Sequence, residues 1–322
     1  TVARFGGDEF AILVEDIKDI RGATVAAERI QEEFRVPFDL GGTEVFATIS
    51  IGIALWNSDY ERPEDLLRDS DTAMYRAKSL GRNSFAVFDD AMHKKVVATL
   101  RLENDLRRAL ARNEFRVFYQ PIVAIDDGHI AGFEALVRWQ HPERGLLLPG
   151  EFIMVAEEMG AIIQLDRWVA EEACKQLRVW HQKYRAHKRA TMSVNLSTTQ
   201  LMRPDVVSGV DLILRNSGLY GESLKLEVTE SVLMENAEYA QAVLEQLRKL
   251  KIAISIDDFG TGYSSLAYLR RFEIDTLKID YSFVSRMLED EESSEIVRTI
   301  ITLAKNLGKD TVAEGVQTRS QF

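Results

Sequence analysis

Strand-like and helix-like segments alternate through the second half of this chain, and the strand-like ones deliver polar side chains at or near their C-terminal ends. They read GFEALVRW with Glu134, MSVNLS with Asn195, LKLEVTE with Glu227, ISIDDFG with Asp257 and Asp258, TLKID with Lys278 and Asp280, and VAEGV with Glu314. Helical spacing fills residues 163–180, 239–250 and 295–307 between them. Such alternation restricts the fold to a parallel α/β barrel or a doubly wound sheet. In a barrel the C-terminal strand ends meet at one mouth, where catalytic groups collect. Acids gathered there with an Asn and a Lys predict a divalent-metal phosphoryl-transfer site.

Side-chain parity sharpens this. In LKLEV, Leu224, Leu226 and Val228 share one face, and Lys225 and Glu227 share the other. Val194 and Leu196 oppose Ser193 and Asn195, and Ile254 and Ile256 oppose Ser255 and Asp257. Helices must cover the apolar faces, so Asn195, Glu227 and Asp257 are expected to point together into the barrel. Glu314 breaks the pattern because Val312 shares its parity; the strand must bend or end before it.

The 322 residues suffice for one large domain and a smaller one. No apolar run is long enough to cross a bilayer, and no signal-peptide pattern opens the chain. The first residue is Thr1, inside a strand-like stretch, so residues upstream are expected to be missing. A single cysteine, Cys174, excludes an intrachain disulfide framework, fits a reducing cytosol and is expected to pack in a helix. The net charge of −11 disfavours a nonspecific grip on large nucleic acid, yet leaves a small anionic nucleotide open, because metal ions reverse the local field. None of the five histidines has metal-ligand spacing, and no HExxH or GxSxG is present.

Residues 1–90 form a first unit. FAILV from Phe10 to Val14 reads as a short buried strand, and residues 22–35 have helical spacing. A strand is expected over 44–55 after a Gly41-Gly42 hairpin turn, a helix over 63–80 with Pro63 in its first turn, and a strand over 84–88. Antiparallel strands backed by helices suggest a ferredoxin-like α+β layer. Residues 91–112 carry Val96, Leu100, Leu106 and Leu110 among charges without Gly or Pro, a helical linker whose stripe is expected to pack within the chain. From residue 113 the second unit opens with a hairpin turning at Asp126-Asp127-Gly128.

Glu134-Ala135-Leu136 resembles the signature of EAL domains, a family of cyclic di-GMP phosphodiesterases. Tyr119-Gln120-Pro121, Asn195 in NLS, Glu227 and Glu230 in EVTE, DDFGTGYSSL from Asp257, Lys278 in LKID and Glu314 in AEGV follow in the family's order. The resemblance implies an EAL-type modified TIM barrel that hydrolyses cyclic di-GMP to linear pGpG with two Mg²⁺ or Mn²⁺ ions. It implies Glu134, Asn195, Glu227 and Asp257 on the first metal, with Asp257 and Asp258 at or near the second. Lys278 would orient the attacking water or offset phosphate charge, and Glu314 would act as base or water-orienting neighbour, with Asp257 completing the catalytic set. Gln120, Leu136, Arg138 and Asp280 would bind substrate, with Arg138 on a phosphate. Glu230, Gly260, Thr261 and Gly262 would position the Asp257-Asp258 loop and link the site to homodimerisation. Gln317 and Tyr281 stand where the family usually has Glu and Arg. By the family layout, the last strand and its flanking helices lie beyond Phe322, leaving the barrel incomplete at its C-terminus. This stretch alone is expected to be unstable or poorly active.

Arg4-Phe5-Gly6-Gly7-Asp8-Glu9-Phe10 resembles the signature of diguanylate cyclases, the GGDEF family, and AMYRAKSLGRN with Lys78 and Arg82 matches its triphosphate-contacting segment. Gly6, Gly7, Asp8, Glu9, Lys78 and Arg82 would contact nucleotide or metal, with Lys78 and Arg82 one helical turn apart and GTP as ligand. The family's N-terminal half is not in this sequence, so the piece is expected to be a regulator or part of a cyclase. The resulting expectation is a GGDEF–EAL signalling protein with domains 1–90 and 113–322, and a cytoplasmic location that leaves a membrane anchor elsewhere open. The rival readings are a non-catalytic cyclic di-GMP receptor and a net diguanylate cyclase.

Overall fold

The computed structural model describes residues 1–322 except 16, 18, 19, 43, 58, 59, 80, 82, 185–188, 231–235 and 262–271, and only the backbone of 90–98. It divides the chain into two units, Thr1–Leu102 and Glu103–Phe322. Among the described residues no helix is long and apolar enough to cross a membrane.

In the first unit, β1 (Val2–Gly6) and β2 (Glu9–Ile12) form an antiparallel hairpin that turns through Gly7 at φ 55°. The Arg4 guanidinium donates to the Gly7 carbonyl at 2.6 and 3.0 Å, which closes the turn. The expected burial of the Phe10–Val14 segment is corrected: Phe10 is 61% exposed, and Ile12 and Leu13 are open as well. β1 and β2 pair only with each other among the described strands. After α1 (Ile20–Glu33), β3 (Phe38–Asp39) and β4 (Glu44–Val45) close the expected hairpin around Gly41 and Gly42, both at positive φ.

The single strand expected over 44–55 is instead two. β4 pairs back onto β3, whereas β5 (Ile51–Ile53) pairs with β6 (Phe85–Val87), so the residues between belong to neither ladder. The β5–β6 pair is parallel, not antiparallel, because α2 (Pro63–Ser79) is a crossover between them. Ala73 and Ala77 of α2 are fully buried against Ala86, and the partly buried Phe88 packs on them. Small residues let the helix backbone come close. A Cβ on Gly52 would fall 1.9 Å from the Ser70 carbonyl oxygen, so only glycine fits there.

Helix α3 (Asp90–Ala109) spans the expected linker. Its inward stripe is Leu102, Leu106 and Ala109, at one-turn spacing, while Leu100 is 52% exposed. Only Leu106 of the expected set is buried; Leu110 is half-buried, and the side chain of Val96 lies outside the described residues.

The second unit is built on one curled sheet. β7 (Phe115–Val123) and β8 (Ile130–His141) form the expected hairpin, with Gly128 at φ 73° in its turn. β10 (Thr191–Asn195), β11 (Leu224–Thr229), β12 (Ala253–Phe259), β13 (Thr276–Ile279) and β14 (Asp310–Ala313) then add in parallel, in that order. β9 (Gly145–Leu147) pairs with the far end of β8. No pairing joins β14 to β7 among the described residues, so the sheet is an incomplete TIM-like barrel with its first strand reversed.

The crossovers include α4 (Pro149–Glu158), α5 (Ile162–Lys183), α6 (Thr198–Leu201), α7 (Val206–Ser217), α8 (Ala237–Lys249), α9 (Tyr281–Arg286) and α10 (Glu291–Asn306). The three longer helices read from sequence each start earlier than expected; α5 also runs on to Lys183, whereas α8 and α10 stop one residue short, at Lys249 and Asn306. The apolar faces of the strands lie in the core, with Met192, Val194, Leu224, Leu226, Ile254, Ile256 and Leu277 each at most 2% exposed. Each such side chain stabilises the barrel by about 1.5–3 kcal/mol relative to exposure. Burying one parity turns the other inward, and that turns the polar residues toward the barrel axis. Cys174 is fully buried in α5, where loss of water pushes its thiol up to about 12.

Candidate active site

Parallel register sets the polar residues side by side. Ser193 pairs with Glu134, Asn195 with Glu227, Glu227 with Ser255, and Thr229 with Asp257. At the centre stands Lys278 of β13, 1% exposed. Its ammonium Nζ lies 2.5 Å from Glu227 Oε2, 2.7 Å from Glu314 Oε1, 3.0 Å from Asp257 Oδ1 and 3.3 Å from Glu134 Oε2. Asn195 Nδ2 donates to Glu134 Oε1 at 3.1 Å. Six residues singled out from sequence therefore meet at one point. Glu314 joins them as parity required: β14 ends at Ala313, and the Glu314 amide donates to the Ile279 carbonyl at 3.1 Å.

Asp257 and Asp258 are consecutive, and a regular strand would send them to opposite faces. A β-bulge prevents this. Opposite β13, Ile256 pairs with Leu277 but Phe259 with Ile279, so β12 carries one extra residue there. Asp258 absorbs it at φ 52°, a left-handed conformation that Asp tolerates better than most side chains. Carboxylate oxygens of Asp257, Asp258 and Glu314 consequently lie within 4.8 Å of one another.

Such crowding raises acid pKa values. Burial pushes Glu227 up to about 7, with Lys278 pulling the other way and Glu134 adding to the rise. Burial also raises Glu314, against the pull of Lys278. Asp258 is raised by burial, then by Asp257 and Asp280. For Lys278, burial works against the charged form, but Glu227, Glu134, Asp257 and Glu314 outweigh it and hold the ammonium protonated. One lysine charge faces four carboxylates, which leaves the pocket short of positive charge. The donor set is carboxylate oxygens and an amide that, turned over, offers Oδ1. That set fits hard divalent cations such as Mg²⁺ or Mn²⁺.

The other expected residues are placed less uniformly. Gln120 is exposed and pairs in register with Glu134; Leu136 and Arg138 share the Glu134 face of β8, half-buried. The Arg138 guanidinium donates to the Val137 carbonyl at 2.8 Å and lies 5.7 Å from the Phe118 ring centroid. Phe118, 47% exposed and in register with Leu136, was missed; continuing the alternation of β7 back from Gln120 would have found it. Asp280 caps α9, its Oδ1 accepting from the Ser282 amide at 2.9 Å. Gly260 and Thr261 follow the bulge, and Gly262 lies outside the described residues. Glu230 follows β11, and its buried Oε2 has no partner among the described residues. In the first unit, Gly6, Gly7, Asp8 and Glu9 are all exposed at the β1–β2 turn. Lys78 is exposed in the last turn of α2, but the helix ends at Ser79, and Arg82 lies outside the described residues.

Asp166 of α5 was also missed. Its Oδ2 accepts from the Ser197 hydroxyl at 2.6 Å and the Ser197 amide at 3.1 Å, two residues past Asn195. Burial raises its carboxyl to about 6, although the Ser197 hydrogen bonds oppose the rise. Between about pH 4 and 6 the folded protein therefore holds a proton that the unfolded chain has released. Stability falls as pH rises through that window, by up to about 3 kcal/mol. Asp166→Asn is expected to remove that segment of the pH dependence, as urea melts at half-unit intervals will show.

The EAL domain family matches residues 103–322, and the diguanylate cyclase GGDEF domain family matches residues 1–84. Among curated proteins of Pseudomonas aeruginosa, the chain is similar to the bifunctional diguanylate cyclase/cyclic di-GMP phosphodiesterase MucR, 41% identical over the whole chain and 46% of that protein. It is also 41% identical to the cyclic di-GMP phosphodiesterase NbdA, over 41% of that protein. The chain thus spans less than half the length of these relatives. Among solved structures, the PaMucR phosphodiesterase in complex with c-di-GMP superposes with a TM-score of 0.66 at 43% identity, covering 69% of this chain and 89% of that one.

Proposed function

Because the chain belongs to the EAL domain family, with GGDEF-domain residues ahead of the barrel, we propose that its second unit is a metal-dependent phosphodiesterase that opens cyclic di-GMP to linear pGpG. The observation that carries this reading is the convergence of Glu134, Glu227, Asp257 and Glu314, from four strands, on the buried Lys278 ammonium. Glu134, Asn195, Glu227 and Asp257 would hold one Mg²⁺ or Mn²⁺, and Asp257 and Asp258 the second. Bound there, the metals supply Lewis acidity and charge neutralisation for phosphodiester hydrolysis.

The chain's own side chains do the rest. In the reaction, water adds to one phosphorus, one P–O ester bond breaks, and the leaving oxygen takes up a proton. Glu314, at the rim and raised in pKa, is suited to accept the proton of the attacking water. Lys278 offsets charge accumulating on the phosphoryl oxygens. Arg138, exchanging its bond to Val137, offers a planar fork to the second phosphate, and the exposed Phe118 ring gives a base a face to stack on. Gln120, Leu136 and Asp280 line the substrate side, and Glu230, Gly260, Thr261 and Gly262 support the bulge and a homodimer contact. The GGDEF residues Gly6, Gly7, Asp8, Glu9, Lys78 and Arg82 would bind GTP as a regulatory input. Residues 91–112 link it to the barrel, and the reaction is placed in the cytoplasm.

Chromatography of cyclic di-GMP incubated with the chain extended to complete the barrel is expected to show pGpG with Mg²⁺ or Mn²⁺, and none with a chelator or in Glu134→Ala. Tight binding without turnover at any metal concentration would replace the enzyme with a receptor.

A further inference from the structure

Three carboxylates that must sit within a few ångströms of one another come from two separate turns, and one short helix touches both. Tyr281, the first residue of α9, lies against Gly315, which immediately follows Glu314. A Cβ on Gly315 would fall 2.0 Å from Tyr281 Cδ2 and 2.9 Å from Cε2. Phe283, two residues on, lies against Gly260, which follows the Asp257-Asp258 bulge; a Cβ there would be 3.2 Å from its Cε2. Both glycines have positive φ, 72° and 98°, so each turn is sharp and each apex is bare backbone that an aromatic ring can cover. Asp280 fixes the start of the helix through its cap on Ser282.

We propose that α9 is a brace for the metal-binding cluster, in which Tyr281 and Phe283 act as positioning residues for Glu314 and for the Asp257-Asp258 pair. Like charges this close repel. Lys278 offsets part of that repulsion, but without a rigid wall behind them the two turns would relax apart toward solvent, most easily at Glu314, which among the described residues is fastened to the sheet by its amide bond to Ile279 and its ion pair with Lys278. The ring carbons of Tyr281 make the contact, so Phe serves in its place and Ala does not. The consequence for metal rests on the functional reading above; the mechanical claim does not.

The test uses the 322-residue chain and two readouts. In metal-free protein, hydrogen exchange at amides 313–317 is expected to be about ten-fold faster in Tyr281→Ala and unchanged in Tyr281→Phe, with β11 amides unaffected in both. Mn²⁺ affinity, read by electron paramagnetic resonance, is expected to fall about ten-fold in Tyr281→Ala and to stay at the wild-type level in Tyr281→Phe. The remote variant Tyr220→Ala, at a residue 78% exposed, should match wild type in both assays. Unchanged exchange in Tyr281→Ala overturns the brace. Faster exchange with unchanged Mn²⁺ affinity overturns its role in spacing the cluster. A wild-type chain that binds no Mn²⁺ removes the metal reading of the pocket, and the exchange data alone then decide whether α9 braces the turns.

Discussion

Lys278→Met is expected to lower the stability of the metal-free protein by about 3–5 kcal/mol, the usual loss when one partner of a buried ionic network is removed. Methionine fills the same space, so the effect isolates the charge. Four carboxylates, with Glu227 only 1% exposed, would then face one another without a cation. Glu227 and Glu314, already raised by burial, would rise further without the pull of Lys278, so the folded variant would bind protons that the unfolded chain lacks. Stability should therefore fall as pH rises above about 4.5, the ordinary glutamate value, and be largely recovered in acid. Saturating Mn²⁺ should restore most of the loss at pH 7, because a divalent cation meets the same carboxylates. Urea melts in chelator and in Mn²⁺ check both statements. A variant as stable as wild type in chelator would show that the ammonium does not hold the pocket together.

Asp258 separates charge from backbone shape. Asn tolerates the left-handed conformation at φ 52° nearly as well as Asp, so Asp258→Asn should keep the bulge and the melting temperature. It removes one of three clustered carboxylates, and turnover of cyclic di-GMP is expected to fall at least about 100-fold, as for loss of a major electrostatic contributor to the transition state. Asp258→Val should lose turnover and also about 1–2 kcal/mol of stability, since a β-branched residue is strained at that φ. Equal turnover in Asp258→Asn and wild type would remove Asp258 from the reacting centre.

The sequence and the structure agree where a local rule decides orientation. Asn195, Glu227 and Asp257 were legible because period-two alternation fixes their face once the apolar parity is covered. The end of β14 before Glu314 followed from the same rule failing. Asp258 was assigned to the site by its place at a strand end and by family resemblance, not by alternation: alternation alone sends it outward, and the bulge that turns it inward depends on how β12 and β13 pair. Lys278 was expected to orient water or offset phosphate charge, but its four ionic contacts depend on strands far apart in the chain. In the first unit, FAILV looks like a core strand by composition, yet burial requires a covering layer that composition does not specify. The parallel β5–β6 pair was likewise hidden, since two short strands around a helix fit either direction until the crossover is seen.

The side chains that meet in this pocket enter the chain in the order Glu134, Asn195, Glu227, Asp257, Lys278, Glu314, one strand after another. Each parallel strand must wait for its crossover helix, which makes the topology rich in long-range contacts and slow to assemble. A growing or partly folded chain thus holds loose acids but no cation-binding cage until β13 and the turn after β14 have docked. Docking of β13 brings the Lys278 ammonium to the acids of the earlier strands, an attraction that salt screens, so that step should be slower at higher ionic strength. On the proposed metal-dependent reading, metal capture is a late event that reports a docked β13 and β14, and an immature chain has little means of competing for the ion.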